Sequence, residues 1–145
     1  MNYKRLEGIL YNYPILLAEI TKLKAEIDYI ENEYQGITGI DPGQEKMSET
    51  YNISSTVENE VIAKEKRLGN KRNKLAKKQL EQIKIENILN LLKEEDKRII
   101  EMWYFKNYRN NQIARELYIS ESTCSIKRKD AMRLLLLLLK ENELF

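Results

Sequence analysis

Between Leu6 and Tyr34 the apolar side chains Leu6, Ile9, Tyr13, Leu16, Ile20, Leu23, Ile27, Ile30 and Tyr34 follow one another in steps of three and four. That spacing returns one stripe to the same side of an α-helix over four heptads, with Glu and Lys on its flanks. A chain that begins this way needs an apolar surface of similar length to cover the stripe. Either a second copy supplies it, as in a coiled coil, or another helix of the same chain does. Pro14 lies inside the stripe and removes one backbone hydrogen bond, so the helix either kinks there or starts at about Tyr13. Residues 1–35 are assigned to this amphipathic segment.

The pattern stops at Gly36. Gly39, the Asp41-Pro42-Gly43 turn and several polar residues make 36–54 a predicted loop and a boundary between modules. Ser55 and Glu58 have capping-box spacing, so a second long helix is expected from Ser55 to about Leu92. Val57, Val61, Leu68 and Leu75 give it a thin seam, which thickens through Ile83, Ile85, Ile88, Leu89 and Leu92. Its middle carries Lys64, Lys66, Arg67, Lys71, Arg72, Lys74, Lys77, Lys78 and Lys84.

Charge is unevenly spread. Residues 1–60 carry a net −6 and residues 61–98 a net +6, within a chain of net +2. Two readings follow: the basic helix pairs with the acidic N-terminal one, or it faces phosphate. Only five Gly and two Pro in 145 residues, with 33% charged side chains, favour long helices, and no period-2 strand pattern is evident. The expected class is all-α, a long coiled-coil-like N-terminal segment followed by a C-terminal bundle. The length suits one domain, or one small domain with an extension.

The C-terminal third, residues 93–145, carries the more specific pattern. Ile99, Ile100, Trp103, Tyr104 and Phe105 form one apolar helix face, with Trp103 expected to bury on the order of 200 Å². Asn107 marks its stop, because asparagine tolerates the left-handed conformation. Ile113, Ala114 and Leu117 then line one side of a short helix. Ser120 suits the N-cap of a further helix from Glu121 to about Lys140, which buries Cys124, Ala131 and Leu135 and exposes Ser122, Ser125, Lys127, Arg128 and Lys129. A short helix, a tight turn and a capped second helix with a polar, basic outer face define a helix-turn-helix.

In such a unit the first turns of the second helix meet base edges. Glu121, Ser122, Ser125 and Ile126 are the base-facing candidates: a carboxylate accepts from cytosine, a serine pairs with either base type, and an aliphatic side chain suits a thymine methyl. Glu121 has a second reading, as an acidic residue that merely favours a helix N-terminus. Arg109, Asn110, Lys127, Arg128 and Lys129 are the phosphate-holding candidates. The run Leu134–Leu139 covers every face of its helix, more than a monomer needs, so some of these leucines are expected to meet a partner.

Residues 92–138 resemble region four of bacterial sigma factors and related phage regulators at Ile99-Ile100, Tyr104-Phe105, Gln112-Ile113-Ala114, Leu117, Ile119-Ser120, Thr123, Ala131 and Leu135. The wider chain, with the segment from Tyr51 to Asn59 and a charged middle helix, is similar to RinA/ArpU-type phage transcriptional activators. The resemblance implies a double-stranded DNA-binding regulator of a phage or prophage late promoter. Tyr118 and Asn107 stand where that pattern has glycine, and Asp130 stands where it commonly has arginine.

Other function classes are less well supported. The chain has no histidine, a single cysteine and no glycine-rich phosphate loop, so no enzyme, metal site or cofactor is expected. The six leucines fall well short of the roughly 20 residues of a membrane span, and no leader-like run opens the chain, so a cytosolic location and no membrane partner are expected, and the phage resemblance implies the cytoplasm of a bacterial host. Expected partners are DNA, a second copy through the N-terminal heptads or the C-terminal leucines, and RNA polymerase as a further possibility. The alternative assignment is a helical phage assembly protein such as a terminase small subunit.

Overall fold

The computed structural model describes residues 1–37 and 50–142. Among the described residues there are five α-helices: α1 (Tyr3–Ile37), α2 (Thr50–Leu89), α3 (Glu94–Ile100), α4 (Asn110–Leu117) and α5 (Glu121–Asn142). A π-helical turn, Glu101–Phe105, continues α3. There is no strand among the described residues, and the protein is all-α. None of the described helices is long and apolar enough to cross a membrane.

Two compact units make up the chain, one of Met1–Ala18 with Leu80–Phe145 and one of Glu19–Gln79. In the second unit the heptad stripe of α1 is covered within the chain. Ile27 and Ile30 pack with Leu68 of α2, and Leu75 joins them at the edge. The pairing is antiparallel, as its ion pairs show: Lys78 with Glu19, Lys71 with Glu26 at 2.6 Å and Arg72 with Glu31 at 2.6 Å. The acidic and basic segments of the sequence therefore neutralise each other here. Lys71, Arg72 and Lys78 of the basic run are engaged in that pairing.

These pairs make the second unit acid-sensitive. The Lys78 hydrogen bond holds the Glu19 carboxyl below its ordinary value of 4.5, and the Lys71 hydrogen bond does the same for Glu26. A lowered folded-state pKa stabilises the fold above the unfolded value, and the contribution disappears as pH falls through the folded one. The melting temperature followed by circular dichroism is expected to drop as pH falls below about 4.5, and the Glu19→Gln/Glu26→Gln double variant to show a shallower drop. Equal slopes would mean that the pairs contribute nothing.

In the first unit α1 buries Leu6, Leu10, Tyr13 and Leu16. Leu10 is the inward residue and Ile9 only half-buried, because Leu6 and Leu10 share a face at i, i+4. Tyr13 stacks on Phe105 with ring centroids 4.5 Å apart, and its hydroxyl donates to Glu86 at 2.8 Å. The Tyr104 hydroxyl donates to Glu7 at 3.0 Å, and Tyr11 meets the Tyr104 ring edge-on. Burial and these carboxylates push both phenols above their ordinary value, so each stays a neutral donor.

Several expectations need correction. Helix α1 runs unbroken from Tyr3 with Pro14 inside it and does not start at Tyr13. Because α2 begins at Thr50, Ser55 sits within the helix and not at its start. The predicted loop 36–54 therefore shrinks at both ends: Gly36 and Ile37 are helical, as are 50–54, while Gly39 and the Asp41-Pro42-Gly43 turn lie outside the described residues. At the other end α2 stops at Leu89, and Ile83 is exposed instead of lying in its seam. Tyr104, at 1% exposure, takes the central aromatic place expected of Trp103, which is half-buried at the edge.

Candidate functional site

The C-terminal two-helix unit is built on a small apolar cluster. Ile99 and Met102 come from α3 and its π turn, Ile113 and Ala114 from α4, and Cys124 from α5; Trp103, Tyr108, Leu117 and Ile119 pack around it. Helix α5 rests on both α3 and α4. Cys124 is fully buried, burial pushes its thiol up, and its Sγ lies 3.7 Å from Asn110 Oδ1. A protonated, enclosed thiol of this kind is inert packing material.

Each helix end follows from local chemistry. The π turn closes with Lys106 N–H on the Glu101 carbonyl at 3.1 Å. Asn107 then takes φ 55°, which lets Tyr108 N–H reach the Met102 carbonyl at 2.9 Å. The start of α4 is held by Gln112, whose side-chain oxygen accepts from Arg109 N–H at 3.0 Å. Its end is a left-handed Tyr118 at φ 56°, ψ 41°, after which Ile119 N–H bonds back to the Ala114 carbonyl at 3.0 Å. Ser120 caps α5 as expected: its Oγ accepts from Thr123 N–H at 3.1 Å and donates to Thr123 Oγ1 at 2.6 Å. Ser120→Ala is expected to cost about 1 kcal/mol in chemical denaturation.

Tyr118 is costly for the opposite reason. A side chain with a Cβ in the left-handed region loses about 1–2 kcal/mol, and this ring is 96% exposed, so little packing offsets the loss. Glycine relieves that strain but adds about 0.5–1 kcal/mol of unfolded-state entropy. Tyr118→Gly is therefore expected to stabilise the protein by up to about 1 kcal/mol, read as a higher melting temperature.

The candidate residues divide by their position on α5. Ser122, Ile126 and Lys129 lie on its exposed face, with Ile126 60% exposed. Arg133 continues that stripe one turn further, its guanidinium 3.7 Å from Asp130. The sequence reading missed Arg133, although its i+4 spacing from Lys129 places it on the same side. Glu121 is exposed in the first turn and Ser125 is half-buried at the margin. Arg109 is exposed ahead of α4, and Asn110 is half-buried against Cys124.

Lys127 and Arg128 are not free outward cations. Lys127 Nζ reaches Glu95 of α3 at 2.9 Å, and that hydrogen bond raises its pKa. The Arg128 guanidinium lies 3.5 Å from the centroid of the Trp103 ring, with Nε buried and without a hydrogen-bond partner. The sequence pattern predicts both as exposed, and both are half-buried. Arg128 is i+4 from Cys124 and Lys127 is i−4 from Ala131, and the two buried residues draw them toward the packed side.

The fold thus defines an all-α protein that ends in a helix-turn-helix bundle. The chain belongs to the family described as Protein of unknown function (DUF722), which matches residues 2–136. No curated protein and no solved structure matches the chain.

Proposed function

We propose that this protein is a sequence-specific regulator of transcription that reads double-stranded DNA with α5, as a late-gene activator of a phage or prophage in the bacterial cytoplasm. The observation that carries the reading is the α4–turn–α5 unit. A short helix and a left-handed turn present a Ser120-capped helix whose outer stripe, Ser122, Ile126 and Lys129, is unengaged by the core. A helix so mounted fits the major groove, with its first turns toward base edges and cations toward phosphate. Similarity to region four of sigma factors and to RinA/ArpU-type activators supports the same reading and adds RNA polymerase as a candidate partner.

Because part of the α1 stripe is covered by α2, a second copy is better accommodated by the exposed leucines of α5, Leu134 at 42% and Leu137 at 58%. Pairing there gives a two-fold dimer, for which half-sites one helical turn apart, or a multiple, are expected. Selection of bound fragments from random duplex DNA tests the whole reading. Enrichment of a near-palindromic sequence supports it. Recovery of no enriched sequence, or a ring of eight or more subunits in light scattering, would favour a packaging-type assembly protein instead.

A further inference from the structure

We propose that Lys127 and Arg128 clamp the reading helix to α3 and its π turn, and that Lys129 with Arg133 carries the phosphate contact of α5. The second half rests on the DNA reading above; the first does not.

The Arg128 contact differs from that of a solvent-facing cation, and Lys127 has a carboxylate partner at the surface. Arg128 stacks its guanidinium on the face of Trp103 at 3.5 Å. An indole face carries negative charge density, and it is the surface offered to the guanidinium, whose buried Nε has no hydrogen-bond acceptor. Moving Arg128 out to a phosphate would uncover Trp103 at the edge of the apolar cluster formed by Ile99, Met102, Ile113, Ala114 and Cys124. Lys127 is tied one residue away, at 2.9 Å from Glu95 in the acidic first turn of α3. The two contacts grip adjacent residues of α5 from one neighbouring segment, and so fix the roll of the helix about its axis.

That roll decides what points outward. With Lys127 and Arg128 turned in, the helical period leaves Ser122, Ile126, Lys129 and Arg133 at i, i+4, i+7 and i+11 along the open side. Lys129 is exposed, and Arg133 lies 3.7 Å from Asp130 with both side chains largely in solvent. Such a pair is readily exchanged for a phosphate, whereas the Trp103 stack is not. Lys127 and Arg128 are positioning residues in this scheme; Lys129 and Arg133 are the ones that touch the ligand.

Salt-dependent binding to a mixed-sequence duplex of about 30 base pairs separates the roles, because each phosphate neutralised adds about 0.9 to the slope of log K against log salt. Lys129→Ala and Arg133→Ala are each expected to lower the slope by about one and affinity by roughly fivefold to tenfold near 0.1 M salt, with the melting temperature unchanged. Arg128→Ala and Arg128→Lys are expected to keep the slope and to red-shift the emission of Trp103, the only tryptophan in the chain. The lysine variant keeps the charge but lacks the planar stack, and stands in if the alanine variant does not fold. Lys127→Glu is expected to lower the melting temperature, and Glu95→Lys in the same chain to restore it. A slope reduced by about one in either Arg128 variant, or an unshifted Trp103 emission in both, overturns the clamp. A wild-type chain that binds the duplex without salt dependence overturns the phosphate assignment and the DNA reading together, while the emission measurement still decides the clamp.

Discussion

Leu135→Ala is expected to destabilise the first unit by about 3 kcal/mol, the cost of the lost transfer energy plus the cavity left in a tightly packed place. Leu135 is fully buried on α5, with Ala131 and Met132 behind it and Leu139 one turn on. For a chain of this size the loss corresponds to a fall of roughly 10 °C in melting temperature. Leu135→Met, which nearly keeps the volume, is expected to cost less than about 1.5 kcal/mol. The contrasting substitution is Leu137→Ala: that side chain is largely exposed in the single chain, so at a dilution where copies do not pair the expected loss is within about 0.5 kcal/mol. A run of six leucines thus splits by helical period into inward and outward members. Equal melting temperatures for the Leu135 and Leu137 variants would mean that α5 is rolled differently from the arrangement described.

That split also explains what could be read from the sequence. The caps were legible because their chemistry is local: Ser120 needs only Thr123, and Asn107 needs only its own tolerance of positive φ. The inward positions Cys124, Ala131 and Leu135 were legible because four- and seven-residue spacings specify a helix face without knowledge of its partner. The inward turn of Lys127 and Arg128 was not. Long basic side chains are solvent-facing by type, yet position 128 shares the Cys124 stripe. Trp103 was likewise assigned to the core by size, when its flat face serves as a platform for a cation at the core's edge. Ser55 shows the opposite failure. A capping box is a local signal, and it loses when the residues before it are themselves helical. The charge asymmetry between the long helices left two readings open, and the pairing with α1 bears out the first for Lys71, Arg72 and Lys78 in the second unit.

On the DNA reading, Asp130→Arg is expected to raise affinity for duplex DNA by roughly tenfold near 0.1 M salt, with the salt slope steeper by about one. Asp130 is exposed beside the Lys129–Arg133 stripe, and it is the carboxylate next to Arg133, 3.7 Å away. In its present form it acts twice against a phosphate, by direct repulsion and by engaging the arginine that would otherwise meet it. The substitution reverses the first effect and removes the second. Asp130→Asn isolates the second effect and is expected to give a smaller gain. Arginine is also the residue common at this position in the sigma-like pattern, so the chain carries aspartate where stronger binding was available. On the same reading, weak affinity per module would make occupancy depend on two copies binding together, since linking two modest contacts multiplies them through effective concentration. The Asp130→Arg chain with Leu137→Ala tests that dependence. Retention of binding when the leucine contact is lost would show that Asp130 sets the need for pairing. If Asp130→Arg leaves both affinity and slope unchanged, the outer face of α5 does not lie against phosphate.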